Sequence, residues 1–248
     1  MLKGLRAAET AMNIQLTKTN VLANNLANVD TAGFKQVLTQ VTEKGAAGAG
    51  SPTRSFAARG IIDQILDLRS PLDMTQGTLR ETGRPLDVAL RGAGLFKVSK
   101  DGREYYTRNG SFSLNAQRRL TTSDGAEVLG AGGPLEIPEG EVLVRRDGLV
   151  LVDGAETDRL AVVDFADSGL LRHVGGSLFA APPDMPARAL AADAVEVVQG
   201  AIEGSNANAI DTMIGMIAAQ RAFELEAKVL QAADRTLDKA VNELSRKA

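Results

Sequence analysis

The chain has 248 residues, a mass of 26.1 kDa, a net charge of −3 and a pI near 5.4. That length holds one large domain or two smaller ones, and 44% hydrophobic residues suffice for a core although aromatics make up only 4%. The absence of Cys and the presence of one His, His173, exclude disulfides, thiolate sites and any site needing two histidines, and the acidic balance argues against general nucleic-acid binding.

No apolar run approaches the ~20 residues that span a bilayer. A signal-peptide core is not apparent at the N-terminus, where Lys3, Arg6 and Glu9 separate Leu2, Leu5 and Ala8, so a cleaved general secretory signal is not expected. Met1, Leu5, Ala8, Met12, Gln15, Thr19, Leu22, Leu26 and Val29 alternate in steps of four and three. This spacing predicts a helix from about Leu2 to Asn28 with one apolar seam and two polar interruptions, stopping before Thr31-Ala32-Gly33. Asn24, Asn25 and Asn28 are poor helix formers near its end. Their amides either bridge to a neighbouring backbone or simply terminate the helix.

Gly45-Ala46-Ala47-Gly48-Ala49-Gly50-Ser51-Pro52 reads as a mobile loop. Ile61, Ile62, Ile65, Leu66 and Leu68 fit either a short helix or an extended arm. Beyond Gly77 the pattern changes to short apolar runs separated by turns. Strands are expected at Leu86–Leu90, Leu95–Ser99, Arg103–Thr107, Ser111–Leu114, Glu141–Arg145, Leu149–Val152, Leu160–Asp164 and Ser177–Ala180. Hairpin turns are expected at Asp101-Gly102, Asn109-Gly110, Asp124-Gly125, Asp147-Gly148 and Asp153-Gly154, because both residues of such pairs tolerate positive φ. The middle, about residues 84–181, is therefore an all-β domain of short antiparallel strands with no βαβ unit. Pro182-Pro183 and an Ala-rich stretch form a return linker over 182–209.

No carboxylate pair has a catalytic context: Asp101, Asp124, Asp147 and Asp153 each precede Gly and are explained by turns. Asp87 sits in an alternating strand and is expected to pair with a neighbouring Arg. Arg91-Gly92-Ala93-Gly94 lacks the following GKS/T of a phosphate loop, and a lone His173 does not constitute a site. Nothing combines a nucleophile, a base and oxyanion donors. An enzyme is not expected, nor is a metal or cofactor.

The last stretch, Ile210 to Ala248, carries Met216, Phe223, Leu230, Leu237 and Leu244 at intervals of seven. Met213, Gln220, Ala227, Asp234 and Val241, three residues earlier in each repeat, give a weaker and partly polar second row. Six acidic and six basic residues are interspersed, as on the wet face of a packed helix. A strict heptad predicts supercoiling against another helix. The fold class expected is thus α+β: paired, coiled-coil-like N- and C-terminal helices with an inserted all-β domain. Five segments result, at 1–35, 36–83, 84–181, 182–209 and 210–248. Polar seam positions such as Gln15, Thr19, Gln220 and Asp234 suit contacts with water or with further copies of the chain, and the termini are expected to be mobile until assembly orders them.

Four stretches in order carry a specific resemblance: Asn24-Asn25-Leu26-Ala27-Asn28-Val29-Asp30-Thr31-Ala32-Gly33-Phe34-Lys35; Gly77 through Leu90 and on to Phe96; Tyr106-Thr107-Arg108-Asn109-Gly110-Ser111-Phe112; and Gly200 through Asn208 followed by Met216 through Glu224. Together they resemble the bacterial flagellar rod and hook proteins. Ala207 stands where that family commonly has Val. The length suits a rod member with one compact β domain, Gln220-Arg221-Ala222-Phe223-Glu224 leaning toward the distal class and the abbreviated stretch after Lys35 toward the proximal. The resemblance implies a structural basal-body subunit of a helical axial polymer that transmits torque. Its partners would be copies of itself, other rod and hook proteins, and during delivery the flagellum-specific export apparatus. It also implies residence in the periplasm-spanning rod. The assembly positions expected are Leu5, Met12, Leu22, Asn24, Asn25, Leu26, Asn28, Val29, Gly33, Phe34, Ser205, Asn206, Asn208, Met213, Met216, Gln220, Phe223, Leu230, Leu237, Val241 and Leu244. A β-domain binding or adhesion module, dimerised through its helices, is the alternative.

Overall fold

A computed structural model describes residues 2–43, 66–69, 71–191, 194 and 196–245, with side chains over 10–40, 71–191, 194, 196–232, 235 and 236. The elements in chain order are α1 (Leu2–Ala27), β1 (Gln40–Glu43), β2 (Leu66–Arg69), β3 (Leu79–Glu81), β4 (Val88–Arg91), β5 (Leu95–Lys100), β6 (Arg103–Thr107) and β7 (Phe112–Leu114). Then come β8 (Leu120–Thr122), β9 (Glu127–Gly130), β10 (Gly133–Pro134), β11 (Val142–Val144), β12 (Leu149–Val152), β13 (Ala155–Arg159) and β14 (Val162–Asp164). The chain closes with β15 (Arg172–Gly175), β16 (Leu178–Ala180), β17 (Arg188–Ala189), β18 (Glu196–Gln199), β19 (Ala201–Glu203) and α2 (Ala209–Ser245). The architecture is α+β, two long terminal helices and an inserted set of antiparallel strands.

Two compact units result. One comprises Met1–Leu26, Leu38–Ser70 and Ala209–Ala248. It holds α2, most of α1, and the ribbon in which β1 pairs antiparallel with β2, Gln40 opposite Arg69. The strand at Leu66–Arg69 settles the second half of the Ile61–Leu68 question as extended chain; the first half and the Gly45–Pro52 loop lie outside the described residues. In α1, Thr17 and Thr19 return their hydroxyls to the carbonyls of Asn13 and Gln15 at 2.9 and 2.8 Å, which satisfies them inside the helix. Asn208 occupies the N-cap position of α2 and Asp211 its first turn, the residue types that complement free N–H groups and the positive end of the helix dipole.

Of the expected α1 seam, Met12, Gln15, Thr19, Leu22, Leu26 and Val29 are half-buried, with Asn25 fully buried beside them, and the side chains of Met1, Leu5 and Ala8 lie outside the described residues. In α2 the row Met216, Phe223, Leu230 is half-buried as well. Of the companion row expected three residues earlier, Met213 is 46% exposed and Gln220 exposed while Ala227 is half-buried, and the side chains of Asp234 and Val241 lie outside the described residues. On the other side of the main row Thr212, Ala219 and Glu226 are buried or half-buried. A heptad always offers two candidate companion rows, three residues before and three after. Here the small Ala219 takes the inner position that the larger Met213 and Gln220 do not. α1 and α2 approach at Gly215, where a Cβ would stand 3.4 Å from both δ-carbons of Leu22.

The second unit comprises Ala27–Val37 and Pro71–Asn208. Its largest sheet runs β15-β16-β6-β5-β9-β8-β7, with β10 on β9 and with β14 joining β5 to β17; β11-β12-β13, β18-β4 and β19-β3 form smaller sheets. Central strand β5 is buried on both faces, so Phe96 and Val98 enter one hydrophobic cluster with Val88, Phe112, Val128 and Ile137, and Leu95 enters another with Tyr106, Val163 and Phe179. The Phe96 and Phe112 rings meet edge to face at 5.3 Å, and each such side chain fully buried contributes about 1.5–3 kcal/mol.

The turns Asp101-Gly102 and Asp153-Gly154 have positive φ at both residues, 52° with 73° and 49° with 81°, and each closes a hairpin. At Asp124-Gly125 and Asp147-Gly148 only the glycine has positive φ. Asn109-Gly110 is not a hairpin turn: β6 pairs with β5 and β16, and β7 pairs with β8. Gly110 is required there for a different reason, since a Cβ would lie 1.6 Å from the Val88 carbonyl oxygen. The stretches 36–83 and 182–209, expected as an arm and a linker, also contribute strands, β3 pairing with β19 and β4 with β18.

Candidate functional site: a buried charged junction

Three stretches far apart in sequence meet inside the strand-bearing unit. The segment after α1 supplies Gly33, Phe34 and Lys35, the segment after β6 supplies Arg108, and β19 supplies Glu203. Phe34 and Glu203 are 0% exposed, Lys35 1% and Arg108 3%. The Glu203 carboxylate accepts from Lys35 Nζ at 2.6 Å, from Arg108 Nε at 2.6 Å and from the Gly77 backbone N–H at 2.9 Å. Two cations thus face one carboxylate. Carbonyl dipoles offset the excess: Lys35 Nζ also donates to Thr75 O at 2.6 Å, and the Arg108 guanidinium donates to the carbonyls of Leu90, Gly92 and Gly94. Burial pulls the Lys35 ammonium below its ordinary pKa of 10.5; the hydrogen bond and charge of Glu203 oppose this, and Arg108 adds to it.

Local geometry fixes each arm. Gly33 has φ +67°, its N–H donates to Glu203 O at 2.8 Å, and a Cβ there would stand 2.2 Å from the Asn109 backbone nitrogen. Only glycine combines that conformation with that approach. The Asn206 amide closes the same junction, accepting from Gln36 N–H at 2.7 Å and donating to Asp73 O at 2.8 Å and Thr75 O at 3.1 Å. Ser205 Oγ accepts from Ala207 N–H at 3.1 Å, just ahead of α2.

Several of the sequence-derived positions therefore converge. Gly33, Phe34 and Asn206 belong to the junction, with Ser205 adjacent and Asn208 exposed at the start of α2. Asn28 accepts from the Thr31 hydroxyl at 3.1 Å where α1 ends, beside a half-buried Val29. Asn24 is exposed and Asn25 buried on α1. The side chains of Leu5, Leu237, Val241 and Leu244 lie outside the described residues. Sequence reasoning passed over Lys35, Arg108 and Glu203 although each stands in a quoted motif. Their only signal is an ordinary charged residue in each motif, with nothing to say that the three meet.

His173 lies between Phe34 and Phe179, ring centroids 5.6 and 5.8 Å away, with Nε2 2.7 Å from Gly176 O. Asp87 is buried, accepts from the Thr82 hydroxyl at 2.7 Å and has Arg84 at 3.7 Å. Both have structural surroundings. Among the described residues no His, Asp and Glu cluster is arranged to hold a metal ion, and no helix is long and apolar enough to cross a membrane.

The junction residues are thus the very stretches that the sequence motifs mark. Residues 5–35 match the family described as flagella basal body rod protein, 89–152 the flagellar hook protein FlgE/F/G D1 domain, and 198–243 the flagellar basal body rod FlgEFG protein C-terminal family. The chain is 35% identical to the flagellar basal-body rod protein FlgF of Escherichia coli, over 96% of this chain and 95% of that one. It is 31% identical to the rod protein FlgG of Agrobacterium fabrum, over 94% and 96% respectively. The chain belongs to the flagellar basal-body rod protein family. As a rod-family member it is a structural subunit. Its three family matches each contribute one arm of the junction: Lys35 closes the first, Arg108 lies in the second and Glu203 in the third.

Proposed function

We propose that this chain polymerises through α1 and α2, with copies of itself and with other rod and hook proteins, into the shaft that transmits torque. It acts by contact rather than catalysis. It reaches the periplasm-spanning rod through the flagellar export apparatus. The observation that carries this reading is the second apolar face of α2. Ile210, Ile214, Ile217, Leu225 and Val229 are 67, 60, 52, 63 and 63% exposed. At 3.6 residues per turn they lie roughly opposite the Met216, Ala219, Phe223, Leu230 face. A helix packed on one partner needs one apolar stripe, whereas a helix surrounded by other copies needs two. Coiled-coil-like pairing serves the inner face, and the outer face, with exposed Met213 and Gln220 at its margin, meets neighbours in an open, heterologous arrangement. Half-burial on the inner face supports assembly roles for Met12, Leu22, Met216, Phe223 and Leu230.

The test is Ile217→Asp, expressed in a strain lacking the native copy, with secretion measured separately from assembly. The expected outcome is a folded, exported protein absent from isolated basal bodies, in non-motile cells. Normal rods and motility with this variant would overturn the reading. Closed dimers indifferent to Ile217→Asp, together with normal rods in cells deleted for the chain, would instead favour the adhesion-module alternative.

A further inference from the structure

We infer that the Lys35–Glu203–Arg108 knot is a closure lock, which makes the segment leaving α1, the loop at 73–78 and the segment entering α2 open and close as one cooperative unit. The contacts form a closed triangle. The first segment reaches the loop through Asp73 N–H to Gln36 O at 2.8 Å and Lys35 Nζ to Thr75 O at 2.6 Å. It reaches the third through Gly33 N–H to Glu203 O at 2.8 Å and Gln36 N–H to Asn206 Oδ1 at 2.7 Å. The loop reaches the third through Gly77 N–H to Glu203 Oε1 at 2.9 Å and Gly204 N–H to Thr78 O at 2.8 Å. Every segment is tied to both others, and Glu203 takes a hydrogen bond from partners 168, 126 and 95 residues away.

Charge makes the triangle all-or-none. Withdrawal of the Glu203 carboxylate leaves Lys35, on the first segment, and Arg108 as two buried like charges and deprives the Gly77 N–H of the loop of its acceptor, so departure of the third segment destabilises the other two. Glu203 also arrives late in the chain. The junction is therefore finished only when both ends of the chain have reached it, and the roots of both helices are fixed in one event. This goes beyond the rod assignment, because it concerns one chain before any assembly.

The test is native-state hydrogen exchange on the full-length chain in increasing denaturant. The reporters are the amides of Gly33, Gln36, Asp73, Gly77 and Gly204; the controls are Lys97 and Leu135, which bond Ala161 O and Val128 O in the strand core at 2.9 Å. The expected result is one opening free energy and one denaturant slope for all five reporters, below those of the controls. Glu203→Gln is expected to speed all five together, by roughly tenfold or more, since it strips the counter-charge from two cations. Lys35→Met is expected to act in the same direction but more weakly, because Glu203 and Arg108 remain a balanced pair. Separate openings for Gly33 and Gly204 in the unaltered protein would overturn the lock. So would a Lys35→Met protein in which only Gly33 and Gln36 accelerate, or one in which the controls move as far as the reporters. If Glu203→Gln does not fold, the unaltered protein and Lys35→Met still decide.

Discussion

At the scale of single residues, the junction runs against the rule that buried charges are expensive, and its chemistry gives the sign of a pH effect. Burial, with the nearby Arg108 charge adding to it, lowers the Lys35 pKa on folding from 10.5. The unfolded chain therefore holds this proton more tightly. Below the folded value the penalty is present in full, and stability gains as pH rises through the interval up to 10.5. The difference in unfolding free energy between the native protein and Lys35→Met, from urea midpoints, should shift in favour of the native protein as pH climbs toward that limit. A shift the other way would mean that attraction to Glu203 outweighs the desolvation of Lys35. Gly33→Ala tests the backbone side of the same junction. Its φ of +67° alone costs about 1–3 kcal/mol for a residue with a Cβ, and overlap with Asn109 adds to that. The expected outcome is a clear fall in thermal midpoint with secondary structure content retained, measured by circular dichroism.

At the scale of elements, the two helices and their inner rows were legible because periodicity is a local property. Met216, Phe223 and Leu230 fall on the half-buried face as the heptad requires. The companion row was not legible, since Thr212, Ala219 and Glu226 are small or polar and give no hydrophobic signal. Strands with alternating Val, Leu and Phe, such as β5 and β12, announce themselves. Short polar ones such as β13 (Ala155–Arg159) and the two-residue β17 exist because of their partners, which no local pattern encodes. Asn109-Gly110 shows the same limit, because the glycine answers to a carbonyl of β4 rather than to a turn. A prediction follows for α2. Leu230→Asp removes a half-buried side chain, about 1–2.5 kcal/mol or half the cost at a fully buried site, and places a charge in the inner row. Arg235→Asp alters an exposed position of the same helix. The first should lower helical content and abolish incorporation into basal bodies, and the second should do neither. Equal behaviour of the two would remove the inner row from the assembly seam.

At the scale of the whole molecule, chain order and spatial order part company. The strand-bearing unit takes Ala27–Val37 from one end and Pro71–Asn208 from the rest, with α2 and all of α1 but Ala27 in the other unit. A reading from 84 to 181 sees its middle, whereas Phe34, Lys35, Val197, Ile202 and Glu203 complete it from outside that range. Closure from both ends makes truncation informative. A chain of residues 27–208 keeps all three arms of the junction. A chain of residues 38–208 loses Phe34, Lys35 and Gly33, and with them the bonds to Glu203, Thr75 and Asn206. Loss of a fully buried Phe costs about 3–5 kcal/mol, against a typical total of about 5–15 kcal/mol for a domain. The missing charge-assisted bond and the unsatisfied Asn206 deepen the deficit. The longer fragment should therefore unfold cooperatively in urea, followed by the near-ultraviolet dichroism of Tyr105 and Tyr106. The shorter should show a strongly lowered midpoint or no native baseline at all. Coincident urea curves for the two fragments would mean that residues 27–37 ride on a strand unit complete without them, and that the segment after α1 contributes nothing to its stability.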